Sequence, residues 1–245
     1  MTGTQRRLVG VGVGPGDPEL VTVKAVRVLQ DADLVLVPTM DLDAVGRAER
    51  TVRAHITHDR LQRLYFALNE RDDRSRREAA WDAAGVAVCA AFDGGATTVV
   101  FATIGDPNVY STFSYLAETA RRLVPGLSVS TVPGITAMQQ LAAVSGVPLV
   151  EGEETLTLYP LTAGLDGYRE ALRNSDTVVA YKGGRHLPAV VEVLRGEGRV
   201  GDAVIGADLG LPGERVVAAA DVGAPLAYLS TVLAPPGART RGGRL

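Results

Sequence analysis

Cysteine is almost missing from this 245-residue chain, which carries Cys89 and no other. That excludes an internal disulfide framework and any metal site built from several thiolates. Long apolar runs are missing too. The best stretches, residues 32–38 and 86–92, have the length of core elements and fall far short of the roughly 18 residues a membrane span needs. Lysine is scarce: 23 of the 25 basic residues are arginine, leaving Lys24 and Lys182, a bias read as genomic codon usage. Against 28 acidic residues the net charge is −3, without the basic excess of a general nucleic-acid binder. The three histidines, His55, His58 and His186, lack metal-ligand spacing and acidic partners in register, so they read as solvated or structural and no metal is expected. The opening MTGTQRR leads directly into a strand-like run, with no signal-peptide pattern. These features point to a soluble cytoplasmic protein with no membrane or nucleic-acid partner.

What is present is an α/β alternation. Residues 8–13 read as a strand closed by a glycine-rich turn, 20–30 as a helix with apolar Val23, Val26 and Leu29, and 34–37 as a short, fully apolar strand. Continuous apolar strands suit a parallel sheet covered on both faces. Between residues 41 and 78, 17 of 38 residues are charged, nine Arg against eight acids, which predicts a solvated helical excursion laced with ion pairs. A helix over 76–92, a buried strand over 97–102 and a helix over 110–123 follow, the last ended by Pro125-Gly126. A second set begins with a strand at 127–132 and a helix at 136–145. Strands are expected at 155–159, 177–181, 203–207, 215–219 and 227–233, with helices near 167–173 and 187–194. The composition divides the chain into an N-terminal α/β domain over 1–123, a C-terminal α/β domain over 124–234 and a flexible tail over 235–245. Cys89, on an alanine-rich helix face, reads as a small core residue.

Three turns carry chemistry. Gly10-Val11-Gly12-Val13-Gly14-Pro15-Gly16-Asp17-Pro18 follows the first strand, where glycine permits positive φ and close approach of a ligand to the backbone. It is not a dinucleotide fingerprint: a Gly-x-Gly-x-x-Gly from Gly10 meets Pro15, and one from Gly12 meets Asp17. Neither lysine stands in a P-loop context. Thr103-Ile104-Gly105-Asp106-Pro107 leaves the C-terminal end of a buried strand, where open α/β sheets bind ligands. A carboxylate there can accept hydrogen bonds from ribose hydroxyls or a ligand ammonium group. Val132-Pro133-Gly134-Ile135-Thr136-Ala137 links a strand to a helix start, where free amides and the Thr136 hydroxyl can hold a polar ligand end or simply cap the helix.

In this order and spacing, the three segments resemble the tetrapyrrole methylases, the S-adenosylmethionine-dependent enzymes of cobalamin and sirohaem synthesis. The resemblance runs over roughly residues 8–233 and is carried by VGVGPGDPELVTVKAVRVLQDADLVLVP, FATIGDPNVYSTFSYL, VPGITAMQQLAAVSGVPL and VVAYKGGRHLPAVVEVL. It implies two α/β domains with the cofactor in the cleft between them, a tetrapyrrole substrate and a homodimer. GDPNVYSTFSYL, the Lys182–Arg185 run KGGR and the late LGLPGERV are similar to the subgroup that methylates C20 of precorrin-2, giving precorrin-3A. The GGDPF-type loop and following Gly-Arg of uroporphyrinogen methylases are not found here. Carried over motif by motif, the resemblance implies cofactor contacts at Pro15, Ile104, Gly105, Asp106, Val109, Thr136, Ala137, Lys182 and Gly210. Lys182 departs from the methionine of sirohaem-type relatives. No residue is identified as the catalytic base, although Tyr110 and Glu154 are candidates for taking the C20 proton. The alternatives are methylation of the cobalt-loaded substrate or of another ring position, a diphthine-synthase-like macromolecule methylase, and a non-catalytic tetrapyrrole-binding protein.

Overall fold

The computed structural model describes residues 5–66, 74–227, 229–237 and 239, arranged as two compact units, Met1–Thr136 and Ala137–Leu245. The first contains strands Arg7–Gly12 (β1), Leu34–Thr39 (β2), Leu61–Tyr65 (β3), Thr98–Thr103 (β4) and Ser128–Val132 (β5). Its helices are Val23–Asp31 (α1), Arg47–Arg53 (α2), Arg74–Asp93 (α3) and Phe113–Leu123 (α4). All five strands are parallel, in the order β3-β2-β4-β1-β5. Alternation along the strands divides the core. Leu8, Leu36, Val99 and Phe101 pack with Val88, Leu116 and Ala120 of α3 and α4. Val9, Val11, Val35 and Val100 pack with Ala25, Leu29 and Val52 of α1 and α2. Residues i and i+2 share a strand face, so a run apolar at every position is what a sheet with helices on both sides requires.

Two expectations are corrected in this unit. The strand at 128–132 pairs with β1, with Leu8 opposite Val129, so it is the fifth strand of the first sheet and not the start of a second domain. The compact division follows Thr136; Pro125-Gly126 ends a helix inside one βαβ connection. The charged stretch 41–78 is not simply a solvated helix either. Its described part includes the edge strand β3, and Glu49 is 1% exposed. That carboxylate accepts from Arg63 Nε and Nη2 (2.6 and 3.0 Å) and from Arg53 Nε (2.8 Å). The Arg63 hydrogen bond outweighs burial and holds the Glu49 carboxyl below its ordinary range. Residues 67–73 of the stretch lie outside the described residues.

The second unit contains Ala137–Ser145 (α5), Leu156–Pro160 (β6), Leu165–Asn174 (α6), Thr177–Tyr181 (β7), Leu187–Gly196 (α7), Val204–Ala207 (β8), Arg215–Ala218 (β9) and Thr231–Ala234 (β10). Its sheet is mixed, in the order β6-β7-β10-β8-β9, with β10 antiparallel to both neighbours. Val178, Ala180, Val232 and Ala234 face a core shared with α6 and α7. Val179 and Leu233 face Leu141 of α5. The last strand begins at Thr231, four residues later than the pattern predicts.

Residues expected to be a loose tail are anchored at Arg239. Its guanidinium donates to Glu154 (2.6 and 3.0 Å) and to the Pro148 carbonyl (2.7 Å). Ala238 and residues 240–245 lie outside the described residues. Pro235 is held too, since Arg199 donates to the carbonyls of Pro235, Ala234, Leu172, Ser175 and Asp176.

Candidate functional site

In the first unit the three turns read from the sequence meet at the C-terminal edge of the sheet. The chain leaves β1 toward β2 on one side and leaves β4 toward β5 on the other, so these two adjacent strands form the switch point at which open α/β sheets bind ligands. The turn after β1 and the turn after β4 are joined by a short bridge, with Gly105 N–H donating to the Gly14 carbonyl at 2.8 Å. Gly14 and Gly105 have φ of 75° and 70°, which glycine adopts without the Cβ penalty. The third turn crosses against both. A Cβ on Gly12 would lie 2.5 Å from the Gly105 carbonyl oxygen and 2.6 Å from Gly134 N. One on Gly134 would meet Gly12 backbone carbon at 2.8 Å and the Gly105 oxygen closer still. Three backbones therefore touch where side chains would keep them apart.

Asp106 ties this junction. Its Oδ2 accepts from Gly134 N–H (3.0 Å) and its Oδ1 from Asn108 N–H (2.7 Å). Asn108 in turn donates from its amide to Thr131 Oγ1 on β5 (3.2 Å). Both carboxylate oxygens thus already accept from backbone, which makes the residue a brace between two turns. Asn108 and Thr131 belong to the same brace but were not singled out from the sequence; the Asp-x-Asn spacing of an Asx turn is the signal that marks Asn108.

Of the residues picked from the sequence, Pro15, Ile104, Gly105, Asp106, Val109 and Thr136 come together on this edge. Pro15 and Thr136 are buried, whereas Ile104, Gly105, Asp106 and Val109 are half-exposed. Tyr110 follows them at φ 50°, exposed, with its phenol pushed up by desolvation.

Ala137, Lys182 and Gly210 belong to the second unit and share one edge of its sheet. Ala137 opens α5, Lys182 follows β7 and Gly210 follows β8. Strands β7 and β8 run in the same direction on either side of β10. Each is followed by a non-glycine residue in the left-handed region, Lys182 at φ 64° and Asp208 at φ 52°. Such strain persists only where the surroundings over-determine it, and it concentrates at ligand sites. The Tyr181 hydroxyl accepts from Met138 N–H in the first turn of α5 (3.2 Å). Gly210 N–H is given to Glu214 (2.7 Å), which also accepts from Gln140 of α5 (3.1 Å). Tyr181 and Glu214 therefore fix the start of α5 against both strained turns.

Glu154, a candidate base from the sequence, is spent on Arg239, whose hydrogen bond lowers its pKa. A carboxylate so stabilised is a poor proton acceptor. His55 and His58 meet the carbonyls of Pro18 (2.8 Å) and Leu29 (3.2 Å). Among the described residues, no three of His, Cys, Asp or Glu are grouped to hold a metal ion, and no helix is long and apolar enough to cross a membrane.

Comparison with known proteins identifies the family. Residues 7–223 match the family described as Tetrapyrrole (Corrin/Porphyrin) Methylases. A precorrin-2 C(20)-methyltransferase from Sinorhizobium sp is 35% identical over 205 residues, covering 81% of this chain and 82% of the relative. A probable cobalt-precorrin-2 C(20)-methyltransferase from Methanocaldococcus jannaschii is 33% identical over 177 residues, 72% of each chain. Among solved structures, the uroporphyrin-III C-methyl transferase from Thermus thermophilus, complexed with S-adenyl homocysteine, superposes with a TM-score of 0.66 at 23% identity, covering 93% of this chain and 97% of that one. The chain belongs to the tetrapyrrole (corrin/porphyrin) methylase family.

Proposed function

We propose that the protein transfers the methyl group of S-adenosylmethionine to C20 of precorrin-2, giving precorrin-3A. The observation that carries this reading is the glycine junction of Gly12, Gly105 and Gly134, held shut by Asp106, at the switch point of a parallel sheet in a chain 35% identical to a precorrin-2 C(20)-methyltransferase. The residues fit the cofactor. At Gly12 and Gly134 a Cβ would collide with backbone and force the turns apart, while the half-exposed residues 104–106 leave an edge of the junction open to a ligand. By the motifs that carry the resemblance, Pro15, Ile104, Gly105, Asp106, Val109, Thr136, Ala137, Lys182 and Gly210 would hold it. Because the Asp106 oxygens already serve Gly134 and Asn108, its part is chiefly to keep the turns in place.

The sulfonium supplies an electrophilic methyl group, so the chain need not provide a covalent nucleophile. Its task is to seat the electron-rich macrocycle carbon in line with that methyl, and positioning of this kind can supply ~7–11 kcal/mol. The substrate's carboxylates call for guanidinium partners, which the 23 arginines can furnish. With Glu154 withdrawn and the Tyr110 phenol kept protonated by desolvation, solvent is left to take the C20 proton. The Methanocaldococcus jannaschii relative favours a second reading, in which cobalt-precorrin-2 is the substrate. We read the enzyme as a cytoplasmic homodimer built of two α/β domains.

Incubation with precorrin-2, and separately with its cobalt complex, in the presence of methyl-carbon-13 cofactor is expected to give one new methyl signal, at C20. Label at another ring carbon, or on a macromolecule, overturns the assignment.

A further inference from the structure

Met40, Leu42, Val45, Tyr65 and Tyr110 are large, mainly apolar side chains left exposed, and all five stand along one edge of the first sheet. It is the carboxyl edge, on which the glycine junction also lies. Tyr65 ends β3, Met40, Leu42 and Val45 occupy the turn from β2 to α2, and Tyr110 lies in the turn from β4 to α4. The strand order β3-β2-β4-β1 sets them in a row that leads to the junction. From β3 to β1 the row crosses three strand spacings, about 14 Å. Tyr65 shares its strand face with Arg63, whose guanidinium meets Glu49 of α2, so it stands on the side from which the β2–α2 turn rises. Ser111 donates to Thr103 Oγ1 at the end of β4 (3.2 Å), which keeps the preceding Tyr110 near that strand.

The apolar turn is held firmly. Thr39 Oγ1 donates to the Asp41 carbonyl (2.6 Å) and accepts from Asp41 N–H (3.1 Å), and the Asp41 carboxylate accepts from Asp43 N–H (2.9 Å). Arg63 donates to the Leu42 carbonyl (2.6 Å), and Glu49 grips the same guanidinium. Enclosing a carboxylate as completely as Glu49 carries a desolvation cost that an apolar residue would avoid. Through Arg63 its effect is to fix a turn that holds Leu42, 54% exposed, in water. Clustered apolar exposure with a polar rim, here Asp41 and Asp43, marks a binding surface. A ledge of aliphatic and aromatic side chains suits the apolar face of a tetrapyrrole ring, while the acidic rim repels the ring's own carboxylates and limits how it can lie. A second copy of the chain seated there would cover the edge by which substrate reaches the junction. We infer that these five side chains form the ledge on which a face of the macrocycle lies, with Leu42 and Val45 as specificity residues. This rests on the methylase reading above and gives it substrate-contacting residues, a role that no sequence motif assigned to them.

Steady-state kinetics with precorrin-2, or with its cobalt complex if that is what the parent methylates, test the ledge. Leu42→Ser and Val45→Ser are each expected to raise KM for the macrocycle ~3–10-fold, the worth of the half of each side chain still open to water. The value of kcat should stay near that of the parent, as it does when uniform binding is lost. S-adenosylhomocysteine affinity by calorimetry, melting temperature and sedimentation should match the parent in both variants. Leu42→Met should keep the parent KM. Leu123→Ser, at a comparably exposed site where α4 ends at the opposite edge of the sheet, should change nothing. Unchanged macrocycle KM in both Leu42→Ser and Val45→Ser overturns the inference and leaves the methylase reading intact. A changed oligomeric state does the same, because the ledge would then be a contact between copies. A rise in the S-adenosylhomocysteine Kd equal to the rise in KM also overturns it, because the turn would then serve the cofactor. Absence of methyl transfer to either macrocycle by the parent protein overturns that reading and this one together.

Discussion

Replacing Gly134 by alanine tests the glycine junction most directly. The added Cβ would stand 2.8 Å from the Gly12 Cα and carbonyl carbon, whereas ordinary contact begins at 3.4 Å. Both neighbours are backbone, so relief requires the turns after β1, β4 and β5 to part by more than half an ångström. Overpacking of this kind costs about 1–3 kcal/mol. The same movement stretches the Gly134 N–H bond to Asp106, a bond to a charged group worth about 1.5–3 kcal/mol. The two costs overlap, since one displacement relieves the first by spending the second. A net loss of about 2 kcal/mol corresponds to a fall of about 4–8 °C in melting temperature for a chain of this size. The displaced turns are those assigned to the cofactor, and a 1 Å misplacement can cost on the order of a hundredfold. S-adenosylhomocysteine affinity is therefore expected to drop about ten- to a hundredfold by calorimetry. Gly196→Ala is the control: it lies in α7 with nothing within 4 Å of its Cβ, and should be neutral or stabilising by up to about 1 kcal/mol. If Gly134→Ala melts and binds like the parent, the junction is not the tight backbone crossing described above.

Asp106→Asn should reduce both stability and cofactor affinity, because the carboxamide can accept only one of the two N–H groups now held by the carboxylate and leaves the other facing an NH2. A loss of affinity with no change in melting temperature would show that Asp106 acts as a ligand and not as a brace. Glu49→Gln should cost about 3 kcal/mol near neutral pH, the low end for a broken buried pair, since Arg53 and Arg63 both reach solvent. The folded-state pKa of Glu49 is depressed, so its contribution is complete above the ordinary value of 4.5 and is lost as pH falls through the lower folded value. The gap between variant and parent in urea melts should close over that acid range, and a gap independent of pH refutes the pairing. Arg239→Ala should destabilise the 148–154 segment, seen as faster amide exchange there, and unchanged exchange would mean that the anchor carries no energy.

Strand and helix order was legible because strands such as the fully apolar 34–37 and the largely apolar 97–102 must be covered on both faces, and few folds do this with alternating helices. The three glycine turns were legible for a similar reason: a turn of Gly-Pro-Gly or Gly-Asp-Pro carries its own backbone constraint. Local pattern could not say which strands share a sheet. The strand at 128–132 looks like the opening of a new domain, and only its pairing with β1 places it in the first one. Glu49 sits among seventeen charges and reads as solvated until α2 and β3 close over it. Asp106 reads as a ligand because its two backbone donors, at Asn108 and Gly134, are supplied by folding. Thr231 carries no sequence signal at all. A threonine in a strand is ordinary, and its hydroxyl becomes conspicuous only when folding buries it between Tyr181 and Gly206 with no hydrogen-bond partner among the described residues. Propensity and periodicity are properties of neighbours along the chain, whereas satisfaction of a carboxylate depends on groups that only folding brings near, such as Arg63 for Glu49 and Gly134 for Asp106. That difference decides which features of this protein could be read from its sequence and which required the fold.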